Sequence, residues 1–194
     1  MTGLILLAAG ESSRLGQPKQ KIVFEGKTLL QRAINVAVDT PCNPILVILG
    51  AYAKELQLNT SNERIVIVDN KNWQEGMASS IRTGMSTLQQ TEVDEVIITV
   101  SDQPFVNSQL LNKLIETKKS TRKELIACSY SDTLGVPALF SKKYFEELLL
   151  LTGPDGAKKL LINHADSIAS IDFPLGNIDI DTTADLDALN KFSR

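Results

Sequence analysis

The sequence predicts an α/β protein: a single domain built on an open, mostly parallel, doubly wound sheet. Strand-like apolar runs alternate with helix-like stretches, and polar residues follow the ends of several of these runs. Some runs are almost continuously apolar, which is typical of parallel strands covered by helices on both faces. No linker, repeat or low-complexity tract divides the 194 residues, so we treat residues 1–194 as one domain.

The predicted strands are short runs rich in aliphatic side chains. They are Leu4–Ala8, Ile45–Leu49, Arg64–Val68, Glu95–Val100 and Leu125–Cys128. Between them, apolar residues recur at helical spacing in Thr28–Val38, Met77–Leu88 and Gln109–Glu116. From Glu124 onward, short strands and helices near residues 142–151 and 156–163 predict a small substrate-side extension. A last helix is expected to open near Thr182.

The composition excludes several classes of protein. The formal net charge of −3 disfavours a nucleic acid partner. The apolar runs are too short to span a bilayer and Met1 begins no signal peptide, so we expect a cytoplasmic protein without a membrane partner. Cys42 and Cys128 lack metal spacing and are expected to be reduced, packed thiols. With His164 as the single histidine, neither a histidine zinc site nor a Ser-His-Asp hydrolase is expected.

The segment from Gly10 to Lys19 forms a small, glycine-punctuated loop after the first strand. A strand that enters such a loop brings backbone N–H groups near an anion, and Arg14 and Lys19 would neutralise its charge. The spacing is not that of a Walker A loop, because Gln17 follows Gly16, and it is not G-x-G-x-x-G. On pattern alone, the segment is equally an ordinary connection with surface cations.

The string from Leu7 to Lys19 resembles the signature L-A-A-G-x-S-x-R-x-G-x-P-K of nucleotidyltransferases related to molybdopterin cytidylyltransferase. The resemblance continues through six ordered segments over nearly the whole chain. It implies a Rossmann-like nucleotidyltransferase fold whose first loop holds a nucleoside triphosphate. Ala9 favours the cytidine branch of the family over the guanosine branch. The loop residues that the resemblance assigns to the nucleotide are Ala8, Ala9, Gly10, Ser12, Arg14 and Lys19.

Two acidic segments supply candidate metal ligands. Asp102 follows a buried-type strand, so its carboxylate would face the crevice and could bind Mg²⁺ together with phosphate oxygens. Alternatively, Asp102 caps the helix that begins near Asn107. Asp179 and Asp181 alternate with isoleucines and would share one side of a strand, although a solvent-facing strand edge shows the same pattern. The resemblance to S/A-D-x-P and D-I-D-T-P-E-D-L implies that these acids hold Mg²⁺, with either Asp179 or Asp181 as the direct ligand.

Residues 70–83 are similar to the segment N-x-x-W-x-x-G-M-x-x-S of the same family, which packs near the nucleotide base and ribose. The resemblance implies that Asn70, Gly76, Ser79 and Ser80 bind the nucleotide. Alternatively, the segment is an ordinary helix cap. We expect Trp73 itself to be a packing residue.

Two later segments resemble the acceptor side of the family, G-x-P-x-L-F at residues 135–140 and G-D-x-G-A at residues 153–157. They imply that Gly135, Pro137, Gly156 and Ala157 bind the acceptor. Pro154 stands where Asp is usual, and Val136 where the cytidylyltransferases often have His. These departures leave the identity of the acceptor open.

The resemblance implies transfer of a nucleotide from CTP, or another nucleoside triphosphate, to the phosphate of molybdopterin, with release of pyrophosphate. Arg14, Lys19 and Asp102 are the expected catalytic residues. A phosphate monoester is already ionised at neutral pH, so no general base is required. Two other functions stay open: a guanylyltransferase or sugar-phosphate nucleotidyltransferase, and a non-catalytic nucleotide-binding chaperone for a molybdoenzyme partner.

Overall fold

A computed structural model describes residues 1–12, 15–56, 58, 60–180, 185 and 189. Its main sheet has seven strands. They are β1 (Thr2–Ala8), β4 (Ile45–Leu49), β5 (Ile65–Asp69), β6 (Glu95–Val100), β7 (Leu125–Tyr130), β8 (Thr133–Ser141) and β9 (Ile168–Asp172). A separate small hairpin consists of β2 (Val23–Phe24) and β3 (Lys27–Thr28).

The sheet has the strand order β5-β4-β1-β6-β8-β7-β9. The first four strands in this order are parallel to one another. β8 runs antiparallel to both of its neighbours, and β9 runs parallel to β7. The predicted open, mostly parallel sheet is therefore confirmed, and the antiparallel strand lies in the part predicted as an extension.

Within the described residues, α-helices with defined bounds accompany the sheet. They are α1 (Leu29–Val38), α2 (Met77–Leu88), α3 (Ser108–Thr121), α4 (Phe145–Leu149) and α5 (Lys158–Asn163). One core cluster joins a sheet face to α1 and α3, for example through Ile34 and Leu114. A second cluster joins the other face to α2, α4 and α5, for example through Ile81 and Leu161. The helices thus cover both faces, which explains the continuous apolar character of β1 and β4.

The predicted elements agree with the structure where the apolar pattern is long and regular. The bounds of β4, β6 and α2 are those expected, and Thr28 caps α1 by accepting a hydrogen bond from the Gln31 backbone N–H at 3.1 Å. Residues 178–180 are not part of a strand, which corrects the expected strand at this point. Most of the predicted last helix lies outside the described residues. No helix in the described part of the chain has the length and apolarity needed to cross a membrane.

Candidate active site

An open pocket of about 320 Å³ lies at the carboxyl ends of β1 and β6. It brings together residues from four separate segments of the chain. Predicted site residues that line it are Ala8, Ala9, Gly10, Lys19, Gly76, Ser80 and Asp102. Trp73, for which we expected a packing role, also lines this pocket, as does Pro154. The loop after β1, the start of α2 and the end of β6 therefore share one cavity.

The loop after β1 is closed by hydrogen bonds from the two residues that end it. The Lys19 backbone N–H donates to Ser12 Oγ at 3.1 Å. The Gln20 side chain is 1% exposed, and its Nε2 donates to the backbone oxygens of Ala8 at 2.9 Å and Gly10 at 3.1 Å. Gln20 thus fixes the backbone of the loop, a role that the sequence analysis missed. Arg14 lies outside the described residues.

The end of β4 supports the same loop from the other side. The Ala51 backbone N–H donates to Ala9 O at 3.2 Å. A Cβ at Gly50 would lie 2.7 Å from Ala9 O and 2.7 Å from Trp73 Cβ, so only glycine allows this approach of the backbones. The Tyr52 hydroxyl donates to Glu11 O at 2.7 Å. These contacts hold the loop against the sheet edge.

Lys19 and Asp102 form an ion pair across the pocket, between Lys19 Nζ and Asp102 Oδ2. The side chains are 16% and 15% exposed, respectively. The helix-capping alternative for Asp102 does not hold, because the cap of α3 is Asn107, whose side chain accepts from the Leu110 N–H at 2.9 Å. Asp102 therefore presents its carboxylate to the pocket and to the lysine of the loop.

The second acidic segment lies beside Asp102. The Ile180 backbone N–H donates to Asp102 O at 3.2 Å, which places Asp179 within one residue of this contact. Asp102 and Asp179 both influence Tyr130: burial is the main cause of its raised pKa, a Gln103 hydrogen bond lowers it, and the two carboxylates contribute to the increase. Asp181, the other candidate ligand, lies outside the described residues.

The donor set fits a divalent cation that is held mainly by its phosphate ligands. Within the described residues, no group of three or more histidine, cysteine or acidic side chains is arranged to hold a metal. Mg²⁺ does not need such a cage, because one or two carboxylates suffice when phosphate oxygens and water complete its shell. Asp102 lines the pocket, and the backbone bond from Ile180 brings the segment that carries Asp179 beside it.

Two of the four residues predicted to bind base and ribose lie beneath the pocket. Asn70 and Ser79 are each 2% exposed. Asn70 Nδ2 donates to the hydroxyls of Ser79 at 2.8 Å and Ser80 at 3.0 Å, and the Ser79 hydroxyl donates to the backbone oxygens of Asn72 and Gly76. Gly76 and Ser80 reach the pocket itself, whereas Asn70 and Ser79 hold the start of α2 in place.

The acceptor-side residues lie in two places. Gly135 and Pro137 belong to β8, which runs antiparallel to β6 with Ala138 opposite Ile98. Because the two strands run in opposite directions, residues before Ala138 in β8 lie near the end of β6, which is the edge of the sheet where Asp102 lies. Gly156 packs on Met77, whose sulphur would lie 2.5 Å from a Cβ at this position, and Ala157 is buried. α5, which begins directly after Ala157, has six residues.

Comparison with known proteins identifies the family. Residues 4–168 match the family described as "MobA-like NTP transferase domain". The chain belongs to this family. Nicotine blue oxidoreductase of Paenarthrobacter nicotinovorans is 28% identical over 130 residues, 66% of this chain and 63% of that protein. The molybdenum cofactor cytidylyltransferase of Escherichia coli is 28% identical over 111 residues, 57% of this chain and 56% of that protein. The match spans under two thirds of either relative.

Solved structures share this fold over nearly the full chain. Rv0371c of Mycobacterium tuberculosis superposes with a TM-score of 0.81 at 27% identity and covers 98% of both chains. A second structure of Rv0371c, a complex with manganese, has a TM-score of 0.77 at 25% identity and covers 98% of this chain and 97% of that one. A structural relative of this MobA-like chain has thus been solved as a complex with manganese.

The MobA-like pocket combines the groups that phosphoryl chemistry needs. Lys19 supplies a cation and Asp102 a carboxylate, and the loop held by Gln20 supplies fixed backbone groups. The histidine lies elsewhere: His164 ends α5 and its Nε2 is 2.9 Å from Glu147 Oε2. The arrangement is suited to positioning and charge stabilisation, not to proton transfer by an imidazole.

Proposed function

We propose that this protein transfers CMP from CTP to the terminal phosphate of molybdopterin and releases pyrophosphate. The observation that carries the proposal is the pairing of Lys19 with Asp102 in the pocket beyond β1 and β6. Membership of the MobA-like NTP transferase family and the likeness to a molybdenum cofactor cytidylyltransferase support it.

In the proposed complex, the triphosphate lies along the loop that follows β1. Lys19 and Arg14 neutralise its charge, and the backbone from Ala8 to Ser12 surrounds it. The start of α2 faces the ribose and base. Its proposed contacts come from Gly76 and Ser80, with Asn70 and Ser79 as the buried residues that orient them.

Mg²⁺ is the proposed cofactor, held by Asp102 and by Asp179 or Asp181. When bound, it would neutralise negative charge on the phosphates of the substrates. The hydrogen bond that brings the 178–180 segment to Asp102 supports a metal at this point. The manganese complex of the related Rv0371c supports the use of a metal ion in general.

The acceptor is proposed to bind on the β8 side, near Gly135 and Pro137, with Gly156 and Ala157 on the opposite wall. An oxygen of its phosphate attacks the α-phosphorus of CTP in line, and the bond to the pyrophosphate oxygen breaks. No proton moves, because the attacking phosphate is already ionised near neutral pH. The work of the protein is to align the two phosphates and to neutralise their charge.

The proposed reaction belongs in the cytoplasm, where reduced thiols are stable. Cys42 and Cys128 are both free and buried, in agreement with that compartment. A molybdoenzyme that receives the product is the proposed partner.

The decisive experiment is a comparison of initial rates with CTP, GTP, ATP and UTP, with molybdopterin prepared under anaerobic conditions as acceptor. Pyrophosphate release that requires acceptor and is fastest with CTP is the expected result. A preference for GTP would favour the guanylyltransferase. Release with a sugar phosphate but not with molybdopterin would favour a sugar-phosphate nucleotidyltransferase. Binding of CTP without release of pyrophosphate would favour the non-catalytic chaperone.

A further inference from the structure

The pairing of β7 with β8 is interrupted beside the proposed acceptor segment. Ala127 lies opposite Ala138, whereas the next residue, Cys128, lies opposite Gly135. One step along β7 therefore corresponds to three steps along β8, and Val136 and Pro137 form a bulge between these pairs. A bulge of this kind re-aims backbone groups and is common next to active sites. Here it lies in the segment proposed to bind the acceptor.

The bulge is held by Tyr130, the last residue of β7. The Tyr130 hydroxyl donates to Val136 O at 3.2 Å. The side chain lies between two glycines, because a Cβ at Gly135 would be 2.1 Å from the hydroxyl and one at Gly176 would be 2.4 Å from the ring. The ring also packs edge-on against Phe173. These contacts hold the Tyr130 side chain in a single conformation.

The same ring lies beside the segments that carry the acidic residues, because Gly176, which precedes Asp179 by three positions, packs against it. Burial is the main cause of the raised pKa of Tyr130, and Asp102 and Asp179 contribute to the increase. Gln103, the neighbour of Asp102, donates from Nε2 to Gly176 O at 2.7 Å and so fixes one of the two glycines against the ring. Tyr130 thus lies between the bulge on one side and the segments that carry the proposed metal ligands on the other.

We propose that Tyr130 is a positioning residue for the acceptor, because its hydroxyl fixes the Val136–Pro137 bulge relative to Asp102 and Asp179. This inference rests on the proposed nucleotidyl transfer and extends it to a residue that none of the family segments contains. Loss of the hydroxyl leaves the Val136 carbonyl without this donor and allows the bulge to move. The proposed triphosphate site lies on the β1 side, so the affinity for CTP should not change.

The test is Tyr130→Phe, which removes the hydroxyl and keeps the ring between its two glycines. Amide hydrogen exchange over residues 133–139 reports on the bulge. Titration calorimetry with molybdopterin, in the presence of an unreactive CTP analogue, reports on acceptor binding without turnover. We expect faster exchange in the bulge, acceptor affinity reduced about five- to tenfold, and CTP affinity within about twofold of wild type, as for loss of one partly buried hydrogen bond.

Tyr144→Phe is the matched control, because it removes a tyrosine hydroxyl from a buried ring that packs against His164 at the other end of β8. It should change neither bulge exchange nor acceptor affinity. Tyr130→Phe with wild-type exchange and acceptor affinity would overturn the role of Tyr130, and so would equal losses of acceptor and CTP affinity. A wild-type protein that binds no molybdopterin would instead overturn the proposed function.

Discussion

The Lys19 ammonium pairs with the Asp102 carboxylate although the two residues are 83 positions apart in the sequence. The sheet explains this relationship. β1 and β6 are parallel neighbours with Leu7 opposite Val100, so the segments that follow them emerge at the same edge. Both side chains are mostly buried, and water therefore screens their attraction only weakly. The pair places one cation and one anion at the wall of the proposed nucleotide pocket.

Asp102→Asn should reduce kcat by at least about 100-fold, because the amide cannot replace a charged ligand of the proposed cation or a charged partner of Lys19. The fold should be kept, since the hydrogen bond from the Ile180 N–H goes to the Asp102 backbone oxygen. Steady-state pyrophosphate release and a thermal melt measure the two effects separately.

Asp94→Asn is the control for this change, because Asp94 immediately precedes β6 at its opposite end and pairs there with the amino terminus. Its activity should stay at the wild-type level. Activity near wild type in Asp102→Asn would remove Asp102 from the catalytic site.

Lys19→Ala should raise the KM for CTP about tenfold or more and slow transfer, because the triphosphate loses a cation on its proposed path. Lys21→Ala is a close comparison: Lys21 belongs to the same short turn, is half-exposed and pairs with Glu55 at 3.3 Å. We expect Lys21→Ala to bind CTP normally, as measured by equilibrium titration. Equal KM values for the two variants would show that Lys19 does not contact the triphosphate.

The sequence was sufficient for the features that depend on local pattern and on the rules of parallel sheets. β4 and β6 are continuous aliphatic runs, and their bounds were predicted correctly. Lys19 and Asp102 were both expected at the site beyond the carboxyl ends of parallel strands, and the structure places them together there. Neither prediction required knowledge of a specific tertiary contact.

The features that were missed depend on tertiary contacts. β8 contains Gly135 and Pro137, which disfavour a regular strand, and the bulge opposite β7 accommodates them. Asn70 follows a strand, where a side chain that binds a ligand is expected. In the structure its amide instead donates hydrogen bonds to two serines of α2. Gln20 gives no local sign that its side chain is buried beneath the loop. The periodicity of apolar residues indicates which face of a helix or strand is buried. It does not indicate which buried polar groups form hydrogen bonds with one another.

We expect the protein to lose stability at alkaline pH because of its two buried thiols. Burial raises the pKa of Cys42 and raises that of Cys128 to about 12. The folded state therefore keeps the Cys128 proton above the ordinary value of 9.0, while the unfolded state releases it. Its contribution to stability is complete below the unfolded pKa and is lost as pH rises toward the folded pKa, by about 1.4 kcal/mol per pH unit.

Denaturant unfolding at about pH 8 and about pH 10 measures this effect. Cys128→Ala should lose about 1 kcal/mol less between these two values than wild type, because it has no thiol to ionise when unfolded. The native protein should also resist thiol reagents until it unfolds. An identical pH dependence in wild type and variant would contradict the raised pKa.

Gln20→Glu tests whether the loop must be fixed from beneath. The variant replaces an amide that donates to the Ala8 and Gly10 carbonyls with an oxygen that cannot donate. The loss of donors at a site that is 1% exposed should destabilise the protein by about 1–3 kcal/mol. It should also raise the KM for CTP, since the loop backbone is the proposed triphosphate site.

Gln17→Glu introduces the same charge in the same loop, but at an exposed side chain, and it should leave stability nearly unchanged. Denaturant unfolding and CTP titration of both variants separate the effect of charge from the effect of the lost hydrogen bonds. If both variants weaken CTP binding equally, charge repulsion explains the loss. If only Gln20→Glu does so, the binding loop depends on the two hydrogen bonds from Gln20, and its shape is set by the residue that follows Lys19.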